Sequence, residues 1–456
     1  MNKMYDLSED TAAAISSGPG GAIAIVRITG PRAAEAAEKV WFSTGKNLNC
    51  TPRRMRLGHA LSPDGESCMA VFMPGPKSYT GEDIVELQCH GGSFAPERLL
   101  NAILATGIVR MAEPGEFTRR AFLNGKMDLT QAEAVLDLIQ ARTAAAMHLA
   151  EKQLSGNLGN RIREAASPLL NVLAEIESRM DFPEEDLDWR THDELIALLQ
   201  PARDILRDLL AGSRAGAIIR NGVRLVIAGA PNAGKSSLLN RILGYDRAIV
   251  TDIPGTTRDT VEESATIRGI QFLLTDTAGL REDAADAVEH FGIGRSRESL
   301  KSAEVVIALL DPTEDEKKQL TDMQKTLQEV DCHAKILFCW NKSDQKKPQL
   351  AETEDHIKIS VLTGDGMEEL FDSLAAIVRA DISERESDVA VAQRHEALLR
   401  NALEQLDASE DEIRREDWEL AAVRIREGIR ALGTVTGENA SPDVLDEIFS
   451  RFCIGK

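Results

Sequence analysis

A glycine-rich loop at residues 229–236, G-A-P-N-A-G-K-S, matches the G-x-x-x-x-G-K-[ST] pattern of phosphate-binding loops. An apolar run at 223–228 precedes it and a helix-like run at 237–243 follows it, which is the context that the pattern requires. Backbone N–H groups at such a helix start converge on phosphate oxygens, while Lys235 supplies a positive charge and Ser236 a metal-binding hydroxyl. The loop therefore predicts a bound nucleoside triphosphate.

The tetrapeptide N-K-S-D at residues 341–344 indicates which base is bound. The carboxylate of Asp344 can accept hydrogen bonds from the ring N–H and the exocyclic amino group of guanine, whereas adenine offers a bare ring nitrogen. Alone, the tetrapeptide is equally typical of a polar turn. It follows a strand candidate at 335–340, downstream of a phosphate loop, and so predicts GTP. The segment S-V-L at 360–362 follows the next strand candidate and is placed to support the base.

Two segments between these motifs could hold magnesium and the γ-phosphate. In D-T-A-G at 276–279, a carboxylate can hold magnesium through water and a glycine N–H can reach the γ-phosphate. Upstream, G-T-T-R-D at 255–259 offers two hydroxyls, and we expect Thr257 to join Ser236 as a magnesium ligand. The four motifs occur in the order of a Ras-like GTPase. The predicted GTP contacts are Asn232, Ala233, Gly234, Lys235, Ser236, Ser237, Thr251, Asp252, Ile253, Pro254, Gly255, Thr256, Thr257, Asp276, Thr277, Ala278, Gly279, Asn341, Lys342, Ser343, Asp344, Ser360, Val361 and Leu362.

Leu280 follows D-T-A-G, where Ras-type enzymes carry a glutamine that orients the attacking water. Leucine cannot orient water, so the catalytic group must come from elsewhere. The acidic segment 281–289 is the nearest supplier of a carboxylate. Chain position alone does not choose among its candidates, which are Glu282, Asp283, Asp286 and Glu289.

The sequence around these motifs divides the 456-residue chain into structural units. Residues 1–124 mix short apolar runs with glycine and proline turns, which is typical of an α+β domain. Residues 125–218 and 381–456 have helical spacing of apolar residues, with breaks expected in the first of these ranges at Gly156, Gly159, the turn at Asp181 and Pro201. Strand candidates alternate with helical patterns across 219–380. We therefore predict a Ras-like α/β domain inserted into an all-α domain, since an isolated helical tail would lack a partner face.

The composition of the chain limits which binding partners and which cell compartment can be expected. The chain has 53 basic and 74 acidic residues and a net charge of −21, so any RNA contact must use a local basic patch. It has no apolar run of about 18 residues, and its start lacks the apolar core of a signal peptide, so we expect a cytoplasmic protein without a membrane segment. The six cysteines show no C-x-x-C pair, and we expect neither a disulfide framework nor a structural metal.

Longer segments of the chain resemble the MnmE family of tRNA modification GTPases, also called the TrmE family. Those in the GTP domain, shared in part with other Era-like GTPases, are G-x-P-N-x-G-K-S-S-L-L-N at 229–240, A-I-V-T-D-I-P-G-T-T-R-D at 248–259 and D-T-A-G-L-R at 276–281. More specific segments lie outside it, at 78–83 (S-Y-T-G-E-D), 90–92 (H-G-G), 114–124 (P-G-E-F-T-x-R-A-F-L-N) and 452–456 (F-C-I-G-K). The resemblance covers essentially the whole chain.

The resemblance implies that GTP domains dimerise across the nucleotide face, with a potassium ion doing the work of an arginine finger. Asn232 would then ligate potassium, helped by backbone groups around Thr251, Ile253 and Thr256. An amide oxygen and carbonyls suit such a hard cation. The alternative is that Asn232 only fits the loop turn.

The resemblance also implies catalytic residues. It favours Glu289 as the carboxylate that orients water, although this sequence has one residue more between Asp276 and Glu289 than the family pattern. Cys453, in the terminal motif, is a candidate nucleophile, but no activating base is evident nearby and a packing role is equally compatible. The predicted catalytic residues are Glu289, Lys235 and Cys453.

The first domain resembles the folate-binding domain shared with the aminomethyltransferase of glycine cleavage. In the family this domain also dimerises and binds 5-formyl- or 5,10-methylenetetrahydrofolate as a one-carbon donor. Mapped by motif, Arg27, Glu86, Lys126 and Lys456 would contact the folate. A carboxylate suits the donor-rich edge of a pterin, and cations suit the glutamate tail. Without the resemblance, Arg27 and Glu86 would be read as a salt-bridged pair of strand residues.

The reaction implied by the resemblance is installation of an aminomethyl or carboxymethylaminomethyl group on carbon 5 of the wobble uridine of tRNA. The chain would act as a homodimer, with the flavin-dependent protein MnmG (GidA) in a heterotetramer or larger complex. GTP hydrolysis would drive rearrangement around the folate site. Two alternatives are an Era-like ribosome-assembly GTPase and a folate-dependent methyltransferase with a regulatory GTP domain.

Overall fold

The computed structural model of the chain describes residues 10–18, 20–43, 47–182, 188–245, 263–274, 298–350, 356–383 and 391–456. Among these residues, no helix combines the length and the apolar character needed to cross a membrane.

The N-terminal part forms a seven-stranded sheet in the order β3-β4-β5-β6-β2-β1-β7. Its strands are β1 (Ala12–Ile15), β2 (Ile23–Thr29), β3 (Trp41–Phe42), β4 (Arg56–Ala60), β5 (Glu66–Met73), β6 (Ile84–His90) and β7 (Arg110–Met111), and its helices are α1 (Ala33–Glu38) and α2 (Phe94–Leu104). Side chains alternate along a strand, so Val26 and Ile28 point into the core while Arg27, between them, points to the other face. Antiparallel pairing of β2 with β6 sets Arg27 opposite Glu86.

Helices follow the sheet: α3 (Glu116–Leu123), α4 (Leu129–Gln140), α5 (Ala144–Leu154), α6 (Asn157–Asp181), α7 (His192–Ala211) and α8 (Ser213–Asn221). The breaks expected at Gly156 and Asp181 are confirmed, since α5 ends at Leu154 and α6 begins after Gly156 and ends at Asp181. Those expected at Gly159 and Pro201 were wrong, because α6 and α7 continue through them. Gly159 allows a close approach, since a Cβ there would lie 2.1 Å from Asp128 Oδ2. Around Pro201, burial of Leu199 and its neighbours outweighs the lost backbone hydrogen bond, as tertiary packing supplies most helical stability.

The next part of the chain forms a six-stranded sheet in the order β13-β12-β11-β8-β10-β9. Its strands are β8 (Val223–Gly229), β9 (Glu263–Ile267), β10 (Ile270–Leu274), β11 (Val305–Leu310), β12 (Lys335–Trp340) and β13 (His356–Lys358), and its helices include α9 (Lys235–Tyr245), α10 (Glu316–Glu329) and α11 (Met367–Ser383). Among the strands that the structure describes in this sheet, β9 alone runs antiparallel to its neighbour, and the other pairs are parallel. Apolar residues fill both faces, as expected of a parallel sheet covered by helices.

The chain then returns to helices α12 (Gln393–Arg414), α13 (Trp418–Thr436) and α14 (Pro442–Ser450). Helices α12 and α13 share one hydrophobic core with α6 and α7, represented by Leu169, Leu199, Leu206, Leu399 and Ile425. Helices from both sides of the α/β domain thus complete one bundle. This confirms the predicted multidomain architecture, in which the Ras-like domain is inserted into an all-α domain.

Helix α4 contacts both points at which the chain passes between the helical and inserted domains. Glu133 on α4 accepts hydrogen bonds from His395 Nε2 at 2.6 Å and Arg394 Nε at 3.0 Å, both in the first turn of α12. One turn further along α4, Asp137 forms an ion pair with Arg220 of α8 at 3.5 Å, just before β8. Residues four apart share one side of a helix, so a single face of α4 holds both crossing points.

Candidate functional site

The phosphate loop joins the end of β8 to the start of α9. Its backbone takes left-handed conformations at Asn232 (φ 63°) and Gly234 (φ 98°) before α9 begins at Lys235. A side chain at Gly234 would be doubly unfavourable, because its Cβ would lie 2.3 Å from Asn341 Nδ2. The sequence thus permits a tight turn that aims the N-terminus of α9 at the loop, as phosphate binding requires.

Lys235 folds back over the loop. Its Nζ donates to Gly229 O at 3.0 Å and to Ala230 O at 2.9 Å. Burial lowers the pKa of Lys235 below its ordinary value. Ser236 and Ser237 are exposed in the first turn of α9, next to this ammonium group.

Asn341 holds three segments of the site together. Its buried side chain donates from Nδ2 to Ala233 O in the phosphate loop at 2.8 Å. Its Oδ1 accepts a hydrogen bond from Val361 N at 3.0 Å. The structure therefore brings the segments 229–236, 341–344 and 360–362 to one edge of the sheet, where the parallel strands β8 and β12 end.

The remaining residues of the 341–344 segment are fixed mainly through the backbone and one ion pair. Ser343 N donates to Ile359 O at 3.1 Å, and Asp344 is exposed beside it. Lys342 Nζ donates to Asp311 Oδ2 at 2.5 Å. Burial alone would raise the pKa of Asp311, but hydrogen bonds from Lys342 and Thr313 leave it lowered.

Asp311 was not among the predicted site residues. The signal available in the sequence is its position directly after the apolar strand 305–310, next to β12 in the sheet. In the last predicted segment, Ser360 is fully buried and donates from its backbone to Asp365 O at 2.9 Å, whereas Leu362 is 81% exposed.

Part of the predicted GTP site lies outside the described residues. This holds for the residues predicted to contact GTP, potassium or magnesium at 251–257 and 276–279, and for the carboxylate predicted to orient water. They are Thr251, Asp252, Ile253, Pro254, Gly255, Thr256, Thr257, Asp276, Thr277, Ala278, Gly279 and Glu289. Their roles stay predictions.

On the N-terminal sheet, Arg27 and Glu86 pair across β2 and β6. Arg27 Nε donates to Glu86 Oε1 at 2.9 Å, and both side chains are less than one-fifth exposed, at 18% and 17%. The Arg27 guanidinium lies 5.4 Å from the ring centre of Phe117 and 5.8 Å from that of Tyr79. The pair fits the salt-bridge alternative, and the folate role of both residues stays a prediction.

The C-terminal segment packs against the same region. Phe117 N donates to Lys456 O at 3.1 Å, and Gly115 N to Cys453 O at 3.4 Å. Gly455 (φ 99°) lies so close to Ile15 O that a Cβ would approach it to 2.1 Å. Phe117 therefore contacts both Arg27 and the end of the chain, while Cys453 is exposed.

Lys126 lies at the edge of this region, where its Nζ donates to Pro76 O at 3.0 Å. Tyr79 belongs to the same loop, and its hydroxyl shares a hydrogen bond of 2.9 Å with Thr118 Oγ1. Burial raises the pKa of Tyr79. Tyr79 and Phe117 were not predicted as site residues, although both lie in the segments 78–83 and 114–124 that carry the family resemblance.

Comparisons with known proteins match nearly the whole chain. A family model described as MnmE helical domain matches residues 129–453, and one described as GTP-binding protein TrmE N-terminus matches residues 11–126. A tRNA modification GTPase MnmE from Natranaerobius thermophilus is 39% identical, covering 99% of this chain and 100% of the relative. One from Geobacter sulfurreducens is 41% identical over 98% and 99%. Among solved structures, Era in complex with MgGDPNP and a 16S ribosomal RNA segment is 23% identical, covering 40% of this chain and 66% of that chain, at a TM-score of 0.26.

Proposed function

The chain belongs to the MnmE (TrmE) family of tRNA modification GTPases, and from that premise we propose that its GTP hydrolysis depends on potassium and serves folate-dependent modification of the tRNA wobble uridine. It is a GTP hydrolase that acts in tRNA modification. The hydrogen bonds of Asn341 to Ala233 O and Val361 N are the observation that best supports GTP at this site. They join the phosphate loop to the segment that carries Asp344, whose exposed carboxylate suits guanine.

Magnesium suits the hydroxyl of Ser236 at the start of α9, and Thr257 is the proposed second ligand. The ion would neutralise charge on the β- and γ-phosphates. Gly234 supports the proposal by letting the loop pack closely against Asn341, since a Cβ there would lie 2.3 Å from Asn341 Nδ2. Lys235 supplies the cation on the same side.

Potassium is proposed at Asn232. Its side chain is exposed at a left-handed turn of the loop, and it makes no hydrogen bond to another residue in the described part of the chain. A carboxamide oxygen in that position suits a hard monovalent cation, with Thr251, Ile253 and Thr256 as the proposed backbone partners. Glu289 is the proposed residue that orients the attacking water.

Folate binding is proposed on the face of the N-terminal sheet that carries Arg27 and Glu86, opposite the face that carries Val26 and Ile28. Glu86 offers a carboxylate to the donor-rich edge of a pterin, and Arg27, Lys126 and Lys456 offer cations to its glutamate tail. Tyr79, 36% exposed, supplies an aromatic ring beside Arg27. When bound, 5-formyl- or 5,10-methylenetetrahydrofolate would supply the one-carbon unit.

The proposed assembly is a homodimer that works with the flavoprotein MnmG (GidA) on tRNA. The product is an aminomethyl or carboxymethylaminomethyl group at carbon 5 of the wobble uridine. The folate-dependent methyltransferase alternative differs in not needing the flavoprotein. Nucleoside analysis of tRNA incubated with and without MnmG separates the two, and modification without MnmG would contradict the proposed assembly.

The GTPase proposal is tested by measuring GTP and ATP hydrolysis in potassium and in sodium. We expect potassium to be required and ATP to be a poor substrate. Asn232→Ala should lose the potassium response, and Glu289→Ala should lose turnover while keeping GTP binding. Asn240→Ala, at an exposed position of α9, is the matched control. Equal rates in both salts would contradict the potassium mechanism, and equal use of ATP would contradict the role of Asp344.

A further inference from the structure

Four cationic residues lie in or near the loop 74–77 of the N-terminal domain, in a chain whose net charge is −21. Arg53 donates from its guanidinium to Pro74 O and to Lys77 O, and Lys126 Nζ donates to Pro76 O. Arg54 follows Arg53 directly, and both Arg54 and Lys77 are exposed. We call Arg53, Arg54, Lys77 and Lys126 the cationic rim. Within the described ranges, none of the four forms a salt bridge with a carboxylate.

The carboxylates near this loop are already engaged. Asp83 Oδ1 accepts from Gly75 N at 3.0 Å. Glu82 pairs with the buried Arg120 at 3.0 Å, and Glu86 pairs with Arg27 at 2.9 Å. The rim therefore keeps a positive charge at the surface, whereas most of the surface of this acidic chain would repel an anion.

The rim borders the proposed one-carbon site. Lys126 belongs to both, and Tyr79, two residues after Lys77, lies 5.8 Å from the Arg27 guanidinium. A nucleotide whose base approaches that site carries its own phosphate and those of its neighbours across the edge of the sheet. Lysine and arginine bind phosphate oxygens through charge-assisted hydrogen bonds, and such contacts position a nucleic acid without reading its bases.

We propose that the cationic rim binds the phosphate backbone of the RNA substrate and so positions the target nucleotide at the one-carbon site. This proposal rests on the proposed function of that site. An RNA, which carries one phosphate per nucleotide, fits the rim because the four charges come from three segments of the chain, 53–54, 77 and 126. Arg53 and Lys126 reach the carbonyls of Pro74, Pro76 and Lys77, and Arg54 and Lys77 are exposed beside them.

The test is the affinity of the full-length chain for a labelled tRNA transcript as a function of salt. The variant is Arg54→Gln with Lys77→Gln, since neither side chain supports a described contact in the fold. Losing two phosphate contacts should reduce the slope of log affinity against log salt by roughly 1.5 and weaken binding about 10-fold or more at low salt. The matched control, Lys317→Gln with Lys318→Gln on α10, removes the same charge from two exposed positions and should leave the slope unchanged.

The glutamate tail of a folate is the competing anion. It is tested by comparing tetrahydrofolate with one glutamate and with several. If the rim variant weakens only the polyglutamate form and keeps the tRNA slope, the rim binds the cofactor tail and the RNA proposal is wrong. Equal losses in the rim variant and the control would also overturn it, because overall charge would then explain the effect.

Failure of the rim can be told apart from failure of the one-carbon site. If the unaltered chain binds tRNA and monoglutamyl folate but the rim variant binds tRNA equally well, only the rim proposal is overturned. If the unaltered chain binds neither, both proposals fail. Urea unfolding of each variant beside the unaltered chain reports that the N-terminal domain is folded, because GTP turnover depends on a different domain.

Discussion

The nucleotide site and the proposed one-carbon site are assembled from very different parts of the chain. Asn341 joins the phosphate loop to Val361 within one sheet, through two buried hydrogen bonds between uncharged groups. The one-carbon site instead brings Arg27, near the start of the chain, close to Lys456 at its end, through Phe117. The first site is preorganised inside a single domain, whereas the second depends on helices that return the C-terminus to the first sheet.

Helix α4 is the element shared by the two arrangements. Its first turn packs Leu129 and Ala132 against Leu445 and Phe449 of α14, which leads into the C-terminal segment. Further along α4, Glu133 contacts His395 where the chain leaves the inserted domain, and Asp137 pairs with Arg220 where the chain enters it. Variants in one region can therefore be tested for an effect on ligand binding in the other, and no such effect is expected if the two sites are independent.

The largest effect is expected for Asn341→Ala. It leaves Ala233 O and Val361 N without their buried partner, and each unmet group costs about 1–3 kcal/mol. We expect a loss of about 100-fold or more in GDP affinity by calorimetry, with folate binding unchanged. Gln345→Ala is the matched control, because Gln345 is exposed and its described contact is made by its backbone. A parallel loss of folate binding would contradict the independence of the two sites.

The next effect, on the free energy of unfolding and not on ligand affinity, is expected for Glu133→Gln. Burial raises the pKa of Glu133, but His395 and Arg394 outweigh it and hold the pKa at about 2, below the ordinary 4.5. A carboxyl with a lowered folded pKa stabilises the fold above pH about 4.5 and loses that contribution as the pH falls towards 2. Glu133→Gln should therefore lower the free energy of unfolding by about 3 kcal/mol at pH 7 and by progressively less towards pH 3.

Urea unfolding across that pH range checks this expectation. Glu151→Gln is the control, since Glu151 is exposed and its ion pair with His148 is 3.9 Å long. A pH-independent difference between Glu133→Gln and the unaltered chain would show that the charge of Glu133 is not responsible.

A smaller effect is expected for Arg27→Ala. Its removal takes away a cation and leaves Glu86 without its partner on the same face of the sheet. A hydrogen bond to a charged group is worth about 1.5–3 kcal/mol, so folate affinity should fall roughly 10- to 100-fold while GTP affinity stays the same. Equilibrium binding of 5-formyltetrahydrofolate measures this. Arg98→Ala, exposed on α2, should not change it; a normal affinity in Arg27→Ala would remove Arg27 from the site.

The smallest effect is expected from deleting Lys456. The deletion removes the acceptor of Phe117 N, which should cost about 1 kcal/mol of stability in the N-terminal domain. Lys456→Ala keeps that backbone oxygen and should unfold like the unaltered chain in denaturant, although it loses the proposed contact with folate. If both variants are destabilised equally, the side chain of Lys456 matters more than its carbonyl.

The sequence predicted the inserted domain in detail because its signals are local. The strand candidates at 305–310 and 335–340 match the bounds of β11 and β12, since each is an apolar run followed by a polar residue. Every residue of β11 is buried, and β12 is buried at Leu337, Cys339 and Trp340. Asn341 was predicted from the same logic, because it directly follows one of these runs. The insertion into a helical domain was also predicted, from the need of the last helices for a partner face.

Contacts between distant segments were not predictable in this way. Asp311 pairs with Lys342 only because β11 and β12 are neighbours in the sheet. Phe117 joins Arg27 to Lys456 across the full length of the chain, and no periodicity indicates such a contact. Pro201 misled in the opposite direction, since local helix-breaking tendency was weaker than the packing of α7 into the bundle.

The shared core of α6, α7, α12 and α13 has a consequence for how the protein is made. Helices α6 and α7 leave the ribosome before the inserted domain, and their partners α12 and α13 leave after it. At about 5–20 residues per second, synthesis of the roughly 180 intervening residues takes about 10–40 s. Throughout that interval, the apolar faces around Leu169, Leu199 and Leu206 cannot pack against α12 and α13, which are not yet synthesised, and chaperones can bind them. The position of the insertion thus imposes a waiting time on every nascent chain.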